Sequence, residues 1–275
     1  MSFKSRLAEL QLRKNSVLCV GLDPDPDRLP TSLLPEASLP DRVLAFNKAI
    51  IEATAPFAIA FKTNFAFFEA LGPAGWDVLH QTVSLIPDDV LSVADAKRGD
   101  IGNSSKFYAK SAYETLGFDS CTVAPYMGTD SMAPFLSYPD KLAFILARTS
   151  NPGARDLQEQ MVGDKQLYEL LTSQIAALPE PQKACAGLVV GATSPEALSN
   201  IRSLVPGMPF LIPGVGAQGG DAKAVMQAAY DEPGSVLINS SRGIIYASEG
   251  QDFAEAAGNA AQALQAFLQE AMPEN

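Results

Sequence analysis

Acids and lysines that interrupt otherwise apolar runs carry the first chemical signal in this chain. In LSVADAKR, residues 91–98, Asp95 and Lys97 stand two apart. On an extended strand that spacing turns both side chains to one side and sends Arg98 away, into a structural or solubilising role. A carboxylate and an ammonium held together in a closed pocket favour each other's charged forms, so Lys97 is expected to stay a cation with a proton to give. Lys62, near the end of AIAFKTN, supplies a second cation, and Asp100, just past the first pair, a second anion. The four would make an alternating Lys-Asp-Lys-Asp array whose balance lets buried charges coexist. Spacing alone leaves two readings open, a catalytic constellation or a structural ion network, since both perturb titration.

Other strand-end residues offer binding groups. Asp23 can accept hydrogen bonds from sugar hydroxyls, and Asn64 brings an amide close to Lys62. Each taken singly is equally compatible with a turn or strand-end role. PGVGAQGGD, residues 213–221, contains Gly214, Gly216 and Gly219 in the spacing G-x-G-x-x-G. That spacing permits close approach of backbone to phosphate. A dinucleotide site is rejected, because the motif follows the seventh apolar run rather than the first, and the next run ends in Ser240, Ser241 and Arg242 without a ribose-binding acid. Gln218 and Arg242 are then expected as side-chain donors to a phosphate. The single histidine, His80, lies in a helix-like segment far from these ends, so neither histidine chemistry nor a metal site is expected.

The elements that must position these groups follow from periodicity. Short apolar runs recur at 17–23, 58–64, 91–98, 121–126, 142–149, 187–192, 209–215 and 236–242. Between them lie segments of helical period, and hairpin signals are scarce. Strand and helix alternation implies a parallel sheet, and eight regular units in 275 residues favour closure. The expected fold is α/β, a (β/α)8 TIM barrel formed as a single domain over residues 1–275. Polar residues fall at the ends of five runs, at Asp23, at Lys62, at Asp95 with Lys97, at Thr149 with Ser150, and at Arg242. These ends share the barrel face on which active sites are built. Loops after the seventh and eighth strands commonly cradle phosphate, which favours the phosphate reading of Gly216, Gly219, Ser241 and Arg242. The Pro-rich stretch 24–40 is read as a long loop, and the C-terminal FAEAAGNAAQALQAFLQEA as a helix packing on the barrel.

Composition narrows the partners. A formal net charge of -11 opposes broad attraction to nucleic acid or anionic membrane, while a small anionic ligand needs only a local basic pocket. No apolar run is long enough to span a bilayer, and the N-terminus lacks a signal-peptide core. Cys19, Cys121 and Cys185 are scattered without metal-site or redox spacing, as expected for buried reduced thiols in the cytoplasm.

At this point the motifs themselves become recognisable. GLDPD (21–25), FKTNFAFFEALG (61–72), DAKRGDIGNSS (95–105), SCTVAPYMGTD (120–130), RTSNPGA (148–154), PGVGAQGGD and NSSRGI (239–244) occur in order. Together they resemble orotidine 5'-monophosphate decarboxylases, particularly the longer bacterial type, over residues 17 to 246. The resemblance implies a lyase of pyrimidine and UMP biosynthesis that converts orotidine 5'-monophosphate to uridine 5'-monophosphate and CO2 with no cofactor. It implies that Lys97 delivers the proton to pyrimidine C6, with Asp95 near the departing carboxylate and Lys62 organising the charges. Asp23 and Asn64 fall on the ribose and catalytic-network side, and Ser150 becomes the hydroxyl that contacts the pyrimidine. Asp100 and Ser104 match positions reaching the site from a partner subunit, which implies a homodimer with shared sites. Two other readings are weighed against it. A metal-dependent sugar-acid-phosphate decarboxylase of related fold is opposed by Lys62 and Ser150, and a non-catalytic phosphate-ligand sensor by the intact charged set.

Overall fold

The eight apolar runs form eight parallel strands, which close in the order β1-β8-β7-β6-β5-β4-β3-β2. They are β1 Leu18–Leu22, β2 Ala60–Asn64, β3 Leu91–Arg98, β4 Ser120–Val123, β5 Leu142–Arg148, β6 Ala186–Val190, β7 Phe210–Pro213 and β8 Val236–Ser240. The computed structural model describes residues 1–33, 35–215 and 222–272. Helices alternate with the strands, as the (β/α)8 reading requires: α1 Phe3–Lys14, α2 Leu39–Thr54, α3 Pro73–Ser84, α4 Gly102–Lys110, α5 Leu167–Ala176, α6 Pro195–Leu204, α7 Ala222–Ala229 and α8 Phe253–Glu270. Local capping sets several helix starts. Ser38 caps α2 by accepting from the Asp41 N–H, and Ser194 caps α6 by accepting from the Ala197 N–H. The Pro-rich stretch is a loop holding one short 3-10 turn at Pro26–Arg28 before α2 begins. His80 sits on the exposed side of α3.

Two apolar layers follow from the two-residue period of the strands. Leu18, Val20, Leu22 and Phe61 face outward into the shell of helices. Cys19, Ala60, Leu91, Val93, Leu142, Phe144, Leu211 and Leu237 fill a second cluster with Phe3, Leu7 and Leu10 of α1. The N-terminal segment, expected only not to be a signal peptide, is therefore a helix whose apolar face joins this second cluster, and Phe3 meets Phe144 edge-on at 5.9 Å. Because each strand alternates, the residues that follow Cys19, Ala60 and Val93 by two or four positions lie on the same side, nearer the opposite mouth. Asp23, Lys62, Asn64 and Asp95 among them are polar, and Gly21 carries no side chain.

Three features depart from the sequence expectation. A small antiparallel hairpin, Met161–Val162 with Lys165–Gln166, turns through Gly163 at φ +69°, although few hairpins were expected. Helix α4 loosens into a wider π turn over Ser111–Thr115. Strand β3 is not extended throughout, because Lys97 adopts φ +47°. Ala94 pairs with Cys121 and Arg98 with Val123, so residues 95–97 bulge opposite Thr122 alone. Among the described residues no helix is long and apolar enough to cross a membrane.

Candidate active site

Four charged side chains meet at the C-terminal mouth of the barrel. Lys62 Nζ lies 3.1 Å from Asp95 Oδ2 and 3.6 Å from Asp23 Oδ1. Lys97 Nζ lies 2.6 Å from Asp95 Oδ1. The register explains the convergence, since Gly21 pairs with Lys62 and Asn64 with Asp95 across neighbouring strands. Within the chain the alternating array is thus Asp23-Lys62-Asp95-Lys97, with Asp23 in the place the sequence reading gave to Asp100. Asp23 is the next inward position after Cys19 and Gly21. Asp100 comes after the bulge, where strand alternation no longer governs direction.

Lys62 is only 5% exposed. Burial alone would lower its pKa, but Asp23 and Asp95 together outweigh that loss of hydration and hold it above the ordinary lysine value. Burial likewise pushes Asp95 upward, and the two ammonium groups of Lys62 and Lys97 reverse the effect, holding the carboxyl down at about 2. Asp95 is a carboxylate at neutral pH between two cations, and Lys97, with its side chain 48% exposed, is the most exposed member of the set. A left-handed backbone costs a residue with a Cβ roughly 1–2 kcal/mol, and such strain persists where surrounding contacts enforce it. Cys19, beneath the cluster, is pushed by burial up to about 12 and stays a thiol.

These charges lie in a cavity of about 450 Å³ that is also lined by Asn64, Thr149, Ser150, Ser241 and Arg242. A volume of this size suits a nucleotide-sized ligand. Asn64 accepts the Ala66 N–H and so caps the short helical turn after β2. Thr149 is fixed by Gln158, whose side-chain oxygen accepts its N–H at 2.7 Å, which anchors the loop bearing Ser150. Gly21 must be glycine, because a Cβ there would lie 1.8 Å from Ser241 Oγ on the adjoining strand end. Gly214 leaves β7 at φ +94°, a turn that favours glycine. Among the described residues the Arg242 guanidinium has no carboxylate partner. Gly216, Gln218 and Gly219 lie outside the described residues.

Asp100 and Ser104 are not brought to this cavity. They line a separate depression with Phe65, Trp76, Arg98 and Phe107, and Asp100 Oδ1 accepts the Ile101 N–H at 2.8 Å. Arg98 points away from the charge cluster as expected, 2.7 Å from Glu69. Sequence reasoning missed Thr122, Tyr246 and Arg28, which line the main cavity. Thr122 Oγ1 donates to Asp95 Oδ1 at 3.0 Å. The Tyr246 hydroxyl donates to the Asp23 carbonyl at 3.2 Å and accepts the Asp25 N–H, steadying the loop that carries Asp23. Arg28 stacks over the Tyr246 ring at 4.0 Å. The signal for Thr122 was a polar residue on a short apolar strand adjoining the Asp95 strand. Tyr246 lay past the last strand and gave none.

Comparison with known proteins agrees with this arrangement. A protein of Dehalococcoides mccartyi named orotidine 5'-phosphate decarboxylase is 48% identical over 267 residues, covering 95% of each chain. One of the same name from Christiangramia forsetii is 48% identical over 262 residues, covering 94% of each. The solved structure of the Leishmania donovani OMP decarboxylase superposes with a TM-score of 0.84 at 38% identity, covering 98% of this chain and 99% of that one. The family model described as orotidine 5'-phosphate decarboxylase / HUMPS matches residues 16–257, nearly the whole barrel, and the chain belongs to that family.

Proposed function

We infer that this protein is a carboxy-lyase that converts orotidine 5'-monophosphate to uridine 5'-monophosphate and CO2 in pyrimidine biosynthesis. The observation that carries the reading is the Asp23-Lys62-Asp95-Lys97 cluster in one cavity with Arg242. With the phosphate at Arg242 and Ser241, and Ser150 on the pyrimidine side, the ring's C6 carboxylate falls beside Asp95. The C6–CO2 bond breaks, its electron pair stays on C6, and Lys97 transfers a proton there, to be recharged through its solvent-facing side. The ammonium next to C6 stabilises developing carbanion charge more than it stabilises the ground state, which is the differential interaction that raises rate. Asp95, held as a carboxylate at about 2, keeps Lys97 aimed and opposes the substrate carboxylate. Lys62 fills the space between Asp23 and Asp95, where a metal-dependent sugar-acid-phosphate decarboxylase would need its cation.

The same reading makes the enzyme a cytoplasmic homodimer with shared sites. Asp100 and Ser104 lie beside exposed apolar residues, Ile101 next in the chain, Phe107 at 64% and Tyr108 at 39% exposure, a surface suited to burial against a second copy. The test is incubation with orotidine 5'-monophosphate and a chelator while its ultraviolet absorbance is followed. Turnover with chelator present is expected; turnover that chelator abolishes favours the metal-dependent reading, and none under any condition rejects the assignment.

A further inference from the structure

We propose that Thr122 is a positioning residue for this decarboxylation, its hydroxyl holding both the Asp95 carboxylate and the left-handed Lys97 backbone that directs the ammonium into the cavity. The proposal rests on the decarboxylase reading above. Thr122 lies on β4 at 1% exposure, between Cys121 and Val123, where an apolar side chain of the same shape would avoid the cost of burying a hydroxyl. The hydroxyl is fully used. Its one hydrogen has two acceptors within reach, Asp95 Oδ1 at 3.0 Å and the Ala94 carbonyl at 3.5 Å, and the shorter contact to a charged oxygen wins. Its oxygen accepts the Lys97 N–H at 2.9 Å.

The second half of the argument is the bulge. Residues 95–97 stand opposite Thr122 alone, so the Lys97 N–H is met by a side-chain oxygen from the neighbouring strand. Lys97 and Asn15 are the non-glycine residues with positive φ among the described residues, and Asn15 is a helix C-cap, where that conformation is routine. Lys97 has no such local excuse. Its direction is set from β4, where Thr122 Oγ1 accepts the Lys97 N–H. One hydroxyl therefore couples the angle of the carboxylate to the origin of the lysine side chain. Orientation of this kind affects the chemical step, because a displaced proton donor costs rate even when substrate binds normally.

The experiment compares wild type, Thr122→Val and Thr122→Ser for kcat and KM on orotidine 5'-monophosphate, with product binding measured by calorimetry. Thr122→Val is expected to lower kcat by at least tenfold while KM and the uridine 5'-monophosphate affinity change less than threefold, and Thr122→Ser is expected to recover most of the lost kcat. A folded Thr122→Val enzyme with kcat within threefold of wild type overturns the proposal. So does a rise in KM without loss of kcat, or an equal loss in the serine variant, which would assign the effect to methyl packing. If Thr122→Val does not fold, Thr122→Ala is read by the same criteria, and failure of both to fold makes the hydroxyl a folding requirement and rejects the positioning role. Absence of turnover in wild type would instead reject the decarboxylase reading itself.

Discussion

Replacing Lys62 by methionine removes one positive charge from the middle of the buried array at nearly constant volume. Lys62 Nζ lies 3.1 Å from Asp95 and 3.6 Å from Asp23, and the variant leaves those two carboxylates with Lys97 as the cation of the cluster. Breaking a buried pair by deleting one partner costs roughly 3–5 kcal/mol. With an unfolding entropy of about 2.1 cal/mol/K per residue, that penalty lowers Tm by roughly 5–9 °C for a chain of this length. The pH dependence identifies the cause. In wild type, Asp95 titrates at about 2, below its unfolded value of 3.8, so its contribution is fully present above the unfolded value and is lost as pH falls towards 2. That contribution is on the order of 2 kcal/mol. In Lys62→Met the sign reverses. Lys62 is the foremost charge holding Asp95 down, and each ~1.4 kcal/mol of penalty is a tenfold gain in proton affinity for that carboxyl, so the folded variant takes up a proton where wild type takes none. The Tm deficit is therefore largest at pH 8 and shrinks towards pH 5, the practical floor above an isoelectric point near 4.6. Thermal unfolding at fixed protomer concentration across that range measures it. A deficit constant with pH would assign the loss to packing, and no deficit at all would refute the account of Lys62 as the cation that makes two buried carboxylates tolerable.

Lys97→Ala should abolish turnover of orotidine 5'-monophosphate while circular dichroism and product binding stay near wild type; a folded variant with near-normal rate would remove Lys97 as the proton donor. Arg242→Ala should lose a charge-assisted phosphate contact of about 1.5–3 kcal/mol, a roughly ten- to 150-fold fall in kcat/KM carried by KM. An equal loss on unphosphorylated orotidine would show that Arg242 does not recognise phosphate. Lys97→Ala and Asp100→Ala proteins, each nearly inactive, should recover activity on mixing under subunit exchange, approaching about a quarter of wild-type sites by symmetry counting. No recovery after verified exchange would reject the shared-site model.

The parts of this fold that were legible in the sequence are those set by local periodicity. Every barrel strand was marked by an apolar run, because a strand buried on both sides shows one whatever its neighbours are. Where inward positions turn polar near a strand end, as at Asp23, Lys62 and Asp95, the alternation that fills the second cluster with Cys19, Ala60 and Val93 carries those residues to the cavity. Helix α1 was overlooked although Phe3, Leu7 and Leu10 recur at helical spacing. The strand-helix rhythm supplied no unit for an element that precedes β1.

What was not legible depends on contacts between segments distant in sequence. Asp95 and Lys97 were expected to share a side because strands alternate, and they do meet. Yet β3 is bulged and Lys97 is left-handed, so the agreement comes from a different geometry whose partner, Thr122, lies 25 residues away. The same break explains Asp100. Beyond a residue at φ +47° the two-residue period carries no information on direction, and the backbone leads Asp100 to the outer depression beside Phe107 while Asp23 completes the array from β1. The loop bearing Ser150 makes the point from the other side. Its apolar strand predicts where Thr149 and Ser150 emerge, but their setting is fixed by Gln158 reaching back to the Thr149 N–H, and a glutamine in a polar loop has no pattern that announces the partner. Residues that strands deliver to a site are therefore readable from period alone, whereas residues that hold the delivered groups in working orientation become visible only when the strands are side by side.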